Sequence, residues 1–212
     1  MTAGAAQRPD PAPRRRPRAR WWVGSGAAPA LVLGAGQRGL QTTGCLPVRR
    51  RTSGGGAVLD GPWLLTAALW LGPGHPLAGA SPVAAATWFG AVHAAWLTER
   101  GIGGTRLYQG PTQGHWACFA GRGPGEVLVG MRKIVGIAQV RRRGGVLLVA
   151  GTLLEPPPWE LLCLALRRPA AAAQEIAAGT WSIRSSLGRG PTPAGWAASL
   201  AARIATALDL HQ

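Results

Sequence analysis

Two short segments of this 212-residue chain carry residue types that could do chemistry. The first is Arg49-Arg50-Arg51-Thr52-Ser53-Gly54-Gly55-Gly56-Ala57-Val58. Glycines let a ligand approach the backbone closely and leave N–H groups free to meet an anion. The arginines before them can add bidentate recognition of phosphate or carboxylate. No Gly-Lys-Ser/Thr follows, so this is not a Walker-type phosphate loop, and three glycines also suit a plain flexible turn. The second segment is Gly130-Met131-Arg132-Lys133-Ile134-Val135-Gly136-Ile137-Ala138-Gln139. Lys133 is the only lysine among 23 strongly basic residues. With 32 Gly and 18 Pro, the arginine excess reads as GC-rich coding drift, which does not account for the one lysine left. Lys133 lies where a hairpin turn becomes a strand, between apolar neighbours. An ammonium on such a semi-buried platform can neutralise a phosphate or polarise a carbonyl.

The elements that must position these groups can be read along the chain. Residues 1–20 hold four prolines, six arginines and one acid, and read as a disordered basic arm. Order is expected from Trp21 to the end. Residues 29–34 form a short apolar run stopped by glycine, a buried strand, and 41–47 are loop-like. Residues 83–100 predict a helix with Trp88, Val92 and Trp96 on its buried face, opened by Pro82 and closed by Gly101. Residues 126–154 predict a meander: a strand at 127–129, a tight Gly130-Met131 turn, a strand at 133–140, a polar turn at 141–145 and a strand at 146–154. Residues 159–168 predict a helix with arginines at its C-terminus, where the macrodipole favours them. Residues 194–210 predict another, with Trp196, Leu200, Ile204 and Leu208 as its buried stripe. Strands and helices in irregular order indicate an α/β or α+β fold, a mixed sheet flanked by helices.

Several classes are excluded. The longest uncharged apolar runs, such as 64–74, are too short to span a bilayer, and no apolar stretch follows the basic N-terminus as a secretory signal would need. Cys45, Cys118 and Cys163 are too widely spaced for a disulfide framework or a CxxC zinc site, so no metal centre is expected. A hydrophobic content of 47% excludes wholesale disorder, leaving a cytoplasmic globular protein. The net charge of +15 admits nucleic acid, an anionic membrane surface or an acidic protein as partner. One Tyr, two Phe and no RNP-like aromatic pattern make nucleic acid the weaker reading.

Taken together and in order, the two segments resemble the lipoate–protein ligase catalytic domain of the biotin/lipoate ligase superfamily. That family shows Arg-Arg-x-Ser-Gly-Gly-Gly-Ala-Val, then an acid before a Gly-(Lys/Arg)-Lys-hydrophobic-x-Gly-Ser-Ala-Gln hairpin, then a Gly-Thr-Leu-Leu strand. The matching stretches here are 50–58, 126–139 and 151–154, and 180–187 is similar to the family's later Ser-Val-Arg-Ser segment. The resemblance covers residues 21–187 and implies a catalytic domain over 21–212 without a C-terminal accessory domain. It implies that Arg50, Arg51, Ser53, Gly54, Gly55, Gly56 and Ala57 border an acyl-adenylate, with Glu126 near the nucleotide. It implies that Lys133 contacts the phosphate and the acyl carbonyl, and that Gly136 and Ala138 leave room for the ligand. ATP with Mg and lipoate or octanoate are the implied ligands, and an acidic lipoyl-carrier domain the implied partner. The chain departs from the pattern at Leu59-Asp60, where the family has His-Asp, and at Ala150, where it has His; both fit a divergent branch or a member needing a partner subunit.

Ala117-Cys118-Phe119 opens a second reading, because it is similar to a segment of the cysteine-dependent octanoyltransferases. There a thiolate attacks an acyl thioester without ATP, and Lys133 would stabilise the oxyanion. The bland reading of Cys118 is a small buried hydrophobe. A third reading is a degenerate, non-catalytic member that only binds. Arg141, Arg142 and Arg143, beside the Lys133 strand, could steer an acidic carrier.

Overall fold

The computed structural model describes residues 19–190 and 192–210. In chain order the elements are β1 (Ala19–Ser25), β2 (Ala30–Leu33), β3 (Val48–Arg50), β4 (Val58–Asp60), β5 (Leu64–Leu71), α1 (Pro76–Gly79), α2 (Pro82–Glu99), β6 (Thr105–Leu107), β7 (Val127–Val129), β8 (Arg132–Arg142), β9 (Gly145–Leu153), α3 (Trp159–Ala165), α4 (Ala171–Ala178), α5 (Ile183–Leu187) and α6 (Pro193–Asp209). Six strands form one sheet in the order β1-β5-β9-β8-β7-β6, and three form a second in the order β3-β2-β4. Every pairing in the large sheet is antiparallel. The mixed character expected of the sheet is confined to the small one, where β2 pairs in parallel with β3 and antiparallel with β4. The fold is α+β.

Strand alternation builds two cores from one sheet. On β5, Leu65, Ala67, Leu69 and Leu71 point toward α2 and α6, meeting Phe89, Val92, Trp96, Trp196, Leu200, Ile204 and Leu208. Leu64 points the other way, into a core with Leu31, Leu33 and Leu59 of the small sheet and with Trp159 and Leu162 of α3. The ligand-sized spaces described below lie on this second side.

The expected helices and meander are present, with four differences. Residues 1–18 of the expected basic arm lie outside the described residues, and Ala19 and Arg20 already belong to β1, paired with Leu71 and Trp70. Trp88 is only half-buried at the rim, and the fully buried ring on α2 beside it is Phe89. The helix from Trp159 stops at Ala165: Arg167 takes a left-handed φ of 54°, and Arg168 stacks 5.1 Å above Trp116 instead of serving the helix end. β8 and β9 also run further than the apolar pattern, leaving a two-residue loop at Arg143-Gly144.

His93 of α2 is fully buried, its Nδ1 2.8 Å from the Phe89 carbonyl oxygen, with its ring edge-on to Phe89 and Trp96. Burial lowers its pKa to about 4, against a smaller opposing effect of the backbone hydrogen bond. Between the ordinary histidine value and about 4, the unfolded chain takes up a proton that the folded chain refuses. Stability is therefore complete above pH 6.5 and falls as the pH drops through that window, by up to about 3 kcal/mol. Urea midpoints at pH 7 and pH 4.5 should show this drop in the native chain and a shallower one in His93→Leu.

Candidate functional site

The site starts from an irregularity in the β7–β8 hairpin. The turn is Gly130-Met131, with Gly130 at φ 60°, as its sequence predicts. Lys133 faces Leu128 across the pair, but Val135 faces Val127, so Ile134 is an extra residue, a bulge. Without the bulge, Lys133 and Gly136 would lie on opposite faces of the strand. With it they are neighbours: a Cβ on Gly136 would sit 3.6 Å from Lys133 Cε.

Lys133 is fully buried, not semi-buried, at 1% exposure. Its ammonium donates to the carbonyls of Cys118 and Gly121, each at 2.7 Å, and to both carboxylate oxygens of Glu126 at 2.9 and 3.0 Å. The Phe119 ring centre lies 5.5 Å away. Glu126 is held in turn: its Oε2 accepts from the Gly123 N–H at 2.8 Å and its Oε1 from the Ile137 N–H at 3.2 Å. The turn before Glu126 is fixed by α2. Gly125 has φ 88°, and a Cβ on Gly90 of α2 would overlap the Gly125 carbonyl oxygen, so both glycines are needed for the contact.

The glycine loop meets the Cys118 segment edge to edge. The Ala57 N–H donates to the Trp116 carbonyl at 2.7 Å, and the Cys118 N–H to the Ala57 carbonyl at 2.8 Å. Arg51 Nη2 donates to the carbonyls of Gly54 and Gly56, both at 2.8 Å. Arg51 thus organises the loop from within and also borders the apolar cavity described next. Arg50 is turned away, donating to the carbonyls of Gln37 and Arg38 at 3.1 and 3.3 Å. Ser53 is buried and its carbonyl accepts from Ala35 N–H at 2.9 Å. Among the described residues, the N–H groups of Gly54, Gly55 and Gly56 have no protein acceptor. A phosphate would meet such groups favourably.

Two spaces meet here. An apolar cavity of about 230 Å³ has Gly136, Ala138, Val140, Leu147, Val149 and Gly151 as its floor and Val32 and Val58 opposite. A second chamber of about 240 Å³, polar by the charged groups on its wall and not by the area of that wall, is lined by Gly54, Gly55, Gly56, Arg122, Glu126 and Lys133. Cys118, Ile137 and Ala138 border both. Of the residues expected to border the acyl-adenylate, Arg50 stands apart from this assembly, and Ala57 joins it through its backbone bonds to Trp116 and Cys118. Sequence reading missed Gln37 and Gln113, which line the chamber; Gln37 Nε2 also donates to the Trp116 carbonyl at 2.9 Å. Nothing local to those glutamines marks them. The His115 ring accepts at Nδ1 from the Ala117 N–H at 3.1 Å, which turns that nitrogen to the backbone. Cys163 is buried in α3, where burial pushes its thiol pKa up, and Cys45 is exposed. Arg141 is tied to Gln139 and the Ala78 carbonyl, both at 3.0 Å, so of the three hairpin arginines Arg142 and Arg143 are the exposed ones.

By sequence, no family model and no curated protein matches the chain. Solved structures match its fold. Lipoate-protein ligase A bound with ATP aligns at a TM-score of 0.64 and 14% identity, over 92% of this chain and 74% of its own. A bipartite lipoate protein ligase from Thermoplasma acidophilum, described with its E2 lipoyl domain, aligns at 0.57 and 16% identity, over 92% and 72%. LipL1 of P. falciparum in complex with lipoate aligns at 0.64 and 12% identity, over 92% of this chain and 51% of its own. The chain has the fold of the lipoate–protein ligase catalytic domain.

The loop contact gives a test of the site's construction. A Cβ on Gly56 would sit 2.5 Å from the His115 carbonyl oxygen and 2.7 Å from Cys118 N, whereas one on Gly54 meets nothing within 4 Å. Gly56→Ala should destabilise the protein by roughly 1–3 kcal/mol, as overpacking does. Gly54→Ala should stay within about 0.5 kcal/mol of the native chain. Urea unfolding of the two variants measures the difference.

Proposed function

We propose that this protein is an enzyme of the lipoate–protein ligase family. It activates lipoate or octanoate with ATP and transfers the acyl group to a lysine of an acidic lipoyl-carrier domain. One observation carries this reading: an apolar cavity and a polar chamber meet beside a buried lysine. The apolar cavity suits an acyl chain. The free N–H groups of Gly54–Gly56 fit the phosphates of ATP, and Arg122 adds a positive charge to the same chamber. Where the spaces join, at Cys118, Ile137 and Ala138, the acyl carboxylate would lie against the nucleotide. The carboxylate oxygen attacks the α-phosphorus and pyrophosphate leaves. The carrier amine then attacks the acyl carbonyl, forming the amide and releasing AMP. Lys133 faces charge developing on the acyl oxygen and phosphate in both steps. Solved neighbours of the same fold hold ATP or lipoate, which supports the choice of ligands.

A specific observation favours a second reading. Cys118 borders both spaces, and Lys133 is bonded to the carbonyl of that same residue. In a thioester mechanism the Cys118 thiolate attacks an octanoyl-carrier thioester, releasing the carrier thiol. The acceptor lysine then attacks the acyl-cysteine, forming the amide and freeing the thiol. This route needs no ATP.

The exposed Arg142 and Arg143 would steer an acidic carrier, and the setting proposed is cytoplasmic. No helix among the described residues is long and apolar enough to cross a membrane.

The test is to incubate the protein with an acidic lipoyl domain and either octanoate plus ATP or an octanoyl-carrier, then weigh both proteins. A ligase adds the octanoyl mass to the domain only with ATP and tolerates Cys118→Ser. A transferase shows an octanoyl adduct on Cys118 without ATP and loses activity in Cys118→Ser. In either case Lys133→Arg, which keeps the charge opposite Glu126, should lower the urea midpoint yet still fold cooperatively, and should lose activity by about 100-fold or more, because a guanidinium fork cannot take the place of the enclosed ammonium without displacing its neighbours. Transfer in neither format would exclude both readings and leave a binding protein.

A further inference from the structure

The ammonium of Lys133 has three protons and no acceptor capacity. Two protons are held by the carbonyls of Cys118 and Gly121 and the third is shared by the two oxygens of Glu126. Every donor of the residue proposed to meet the substrate is therefore engaged within the protein. A ligand oxygen can reach Nζ as a hydrogen-bond acceptor only by displacing one of these partners. The carboxylate is the partner hardest to displace. It is charged, it contacts Nζ through both oxygens, and it is itself fixed by the Gly123 and Ile137 N–H groups. The two carbonyls are neutral, and both belong to the turn that carries Cys118.

We infer that Glu126 is a positioning residue that holds Lys133 in a parked state, and that an anionic or carbonyl substrate group engages Lys133 by displacing the carbonyl of Cys118 or Gly121. Substrate binding and movement of the 118–121 turn are then one event. The Glu126–Lys133 pair stays intact throughout and aims the ammonium, and Glu126 does not contact the nucleotide. The turn keeps other attachments: the Cys118 N–H bonds to Ala57, Phe119 is buried against Trp159, and Arg122 and Gln113 exchange backbone hydrogen bonds just beyond it. Releasing Lys133 therefore frees the Cys118 and Gly121 carbonyls to shift locally, beside both spaces, while Phe119 stays anchored. The inference rests on the proposed function only for the identity of the displacing group.

The test uses Cys118 as a reporter, because it is partly exposed, while Cys45 is exposed and serves as an internal reference. The full-length protein is alkylated with iodoacetamide in the absence of substrate, and each cysteine is followed by peptide mass. The double variant Glu126→Gln/Lys133→Met removes the ammonium that holds the two carbonyls and leaves no unpaired buried charge, so it should speed alkylation of Cys118 at least fivefold relative to Cys45. Octanoate at saturating concentration should speed alkylation in the native chain and have no effect in the double variant. A Cys118 rate within twofold of native in the double variant, or equal protection by octanoate in both proteins, would overturn the inference.

Turnover gives an independent reading. If the native chain transfers octanoate, Glu126→Gln should lower kcat by tenfold or more while the KM values for octanoate and ATP move less than threefold. A rise in the KM for ATP with kcat retained would mean that Glu126 binds the nucleotide, and would also overturn the inference. If the native chain shows no turnover while the alkylation changes appear, the proposed function fails and the parked lysine stands.

Discussion

A buried charge pair governs this structure. Lys133 and Glu126 lie 2.9 Å apart with almost no exposure to solvent. Bringing both charges out of water is costly, and the cost is met only if every remaining donor and acceptor finds a partner. Here they do: two carbonyls complete the ammonium and two backbone N–H groups complete the carboxylate. Those four groups come from the Cys118–Gly123 turn and from β8. The pair therefore ties the turn to the sheet and sets the wall of the polar chamber. Losing one member of such a pair typically costs about 3–5 kcal/mol, far more than a surface ion pair such as Arg184–Glu155.

Other features follow from the need to bring segments close enough to make that pair. Gly90 and Gly125 let α2 press on the turn before Glu126. Gly56 lets the glycine loop lie against the Cys118 segment, and Arg51 gathers the loop's carbonyls so that its N–H groups remain for a ligand. The sheet supplies the second space by the size of its side chains. Across β8 and β9 the facing pairs run Gly136–Gly151, Ala138–Val149 and Val140–Leu147. The floor is thus low beside the chamber and rises away from it, so the apolar cavity begins where the reacting groups lie.

The arginine-rich composition acquires a divided meaning. Arg51 and Arg141 are internal braces, and Arg168 and Arg132 stack on Trp116 and Trp181. These contacts leave every guanidinium charged, and Arg132 and Arg168 stay exposed, so the net +15 persists while part of the arginine count has a structural use.

Much was legible in the sequence, because the features involved are local. The four-residue stripe of α6, the Gly130-Met131 turn and the Arg-Ser-Gly-Gly-Gly loop depend on neighbours in the chain, and each stands where its pattern places it. The single lysine and the order of the motifs were enough to choose the fold. The strands β1 and β5 were not legible, because a run such as Leu-Leu-Thr-Ala-Ala-Leu-Trp-Leu is apolar on both faces until the two cores that bury it exist. The partner of Lys133 was not legible either. A strand that alternates regularly would turn Lys133 away from Gly136. One extra residue at Ile134 reverses that, and a bulge is a property of the pairing between two strands. Residue types and their order thus determined which groups are present, and the register of β7 on β8 decided that the lysine faces inward, onto Glu126.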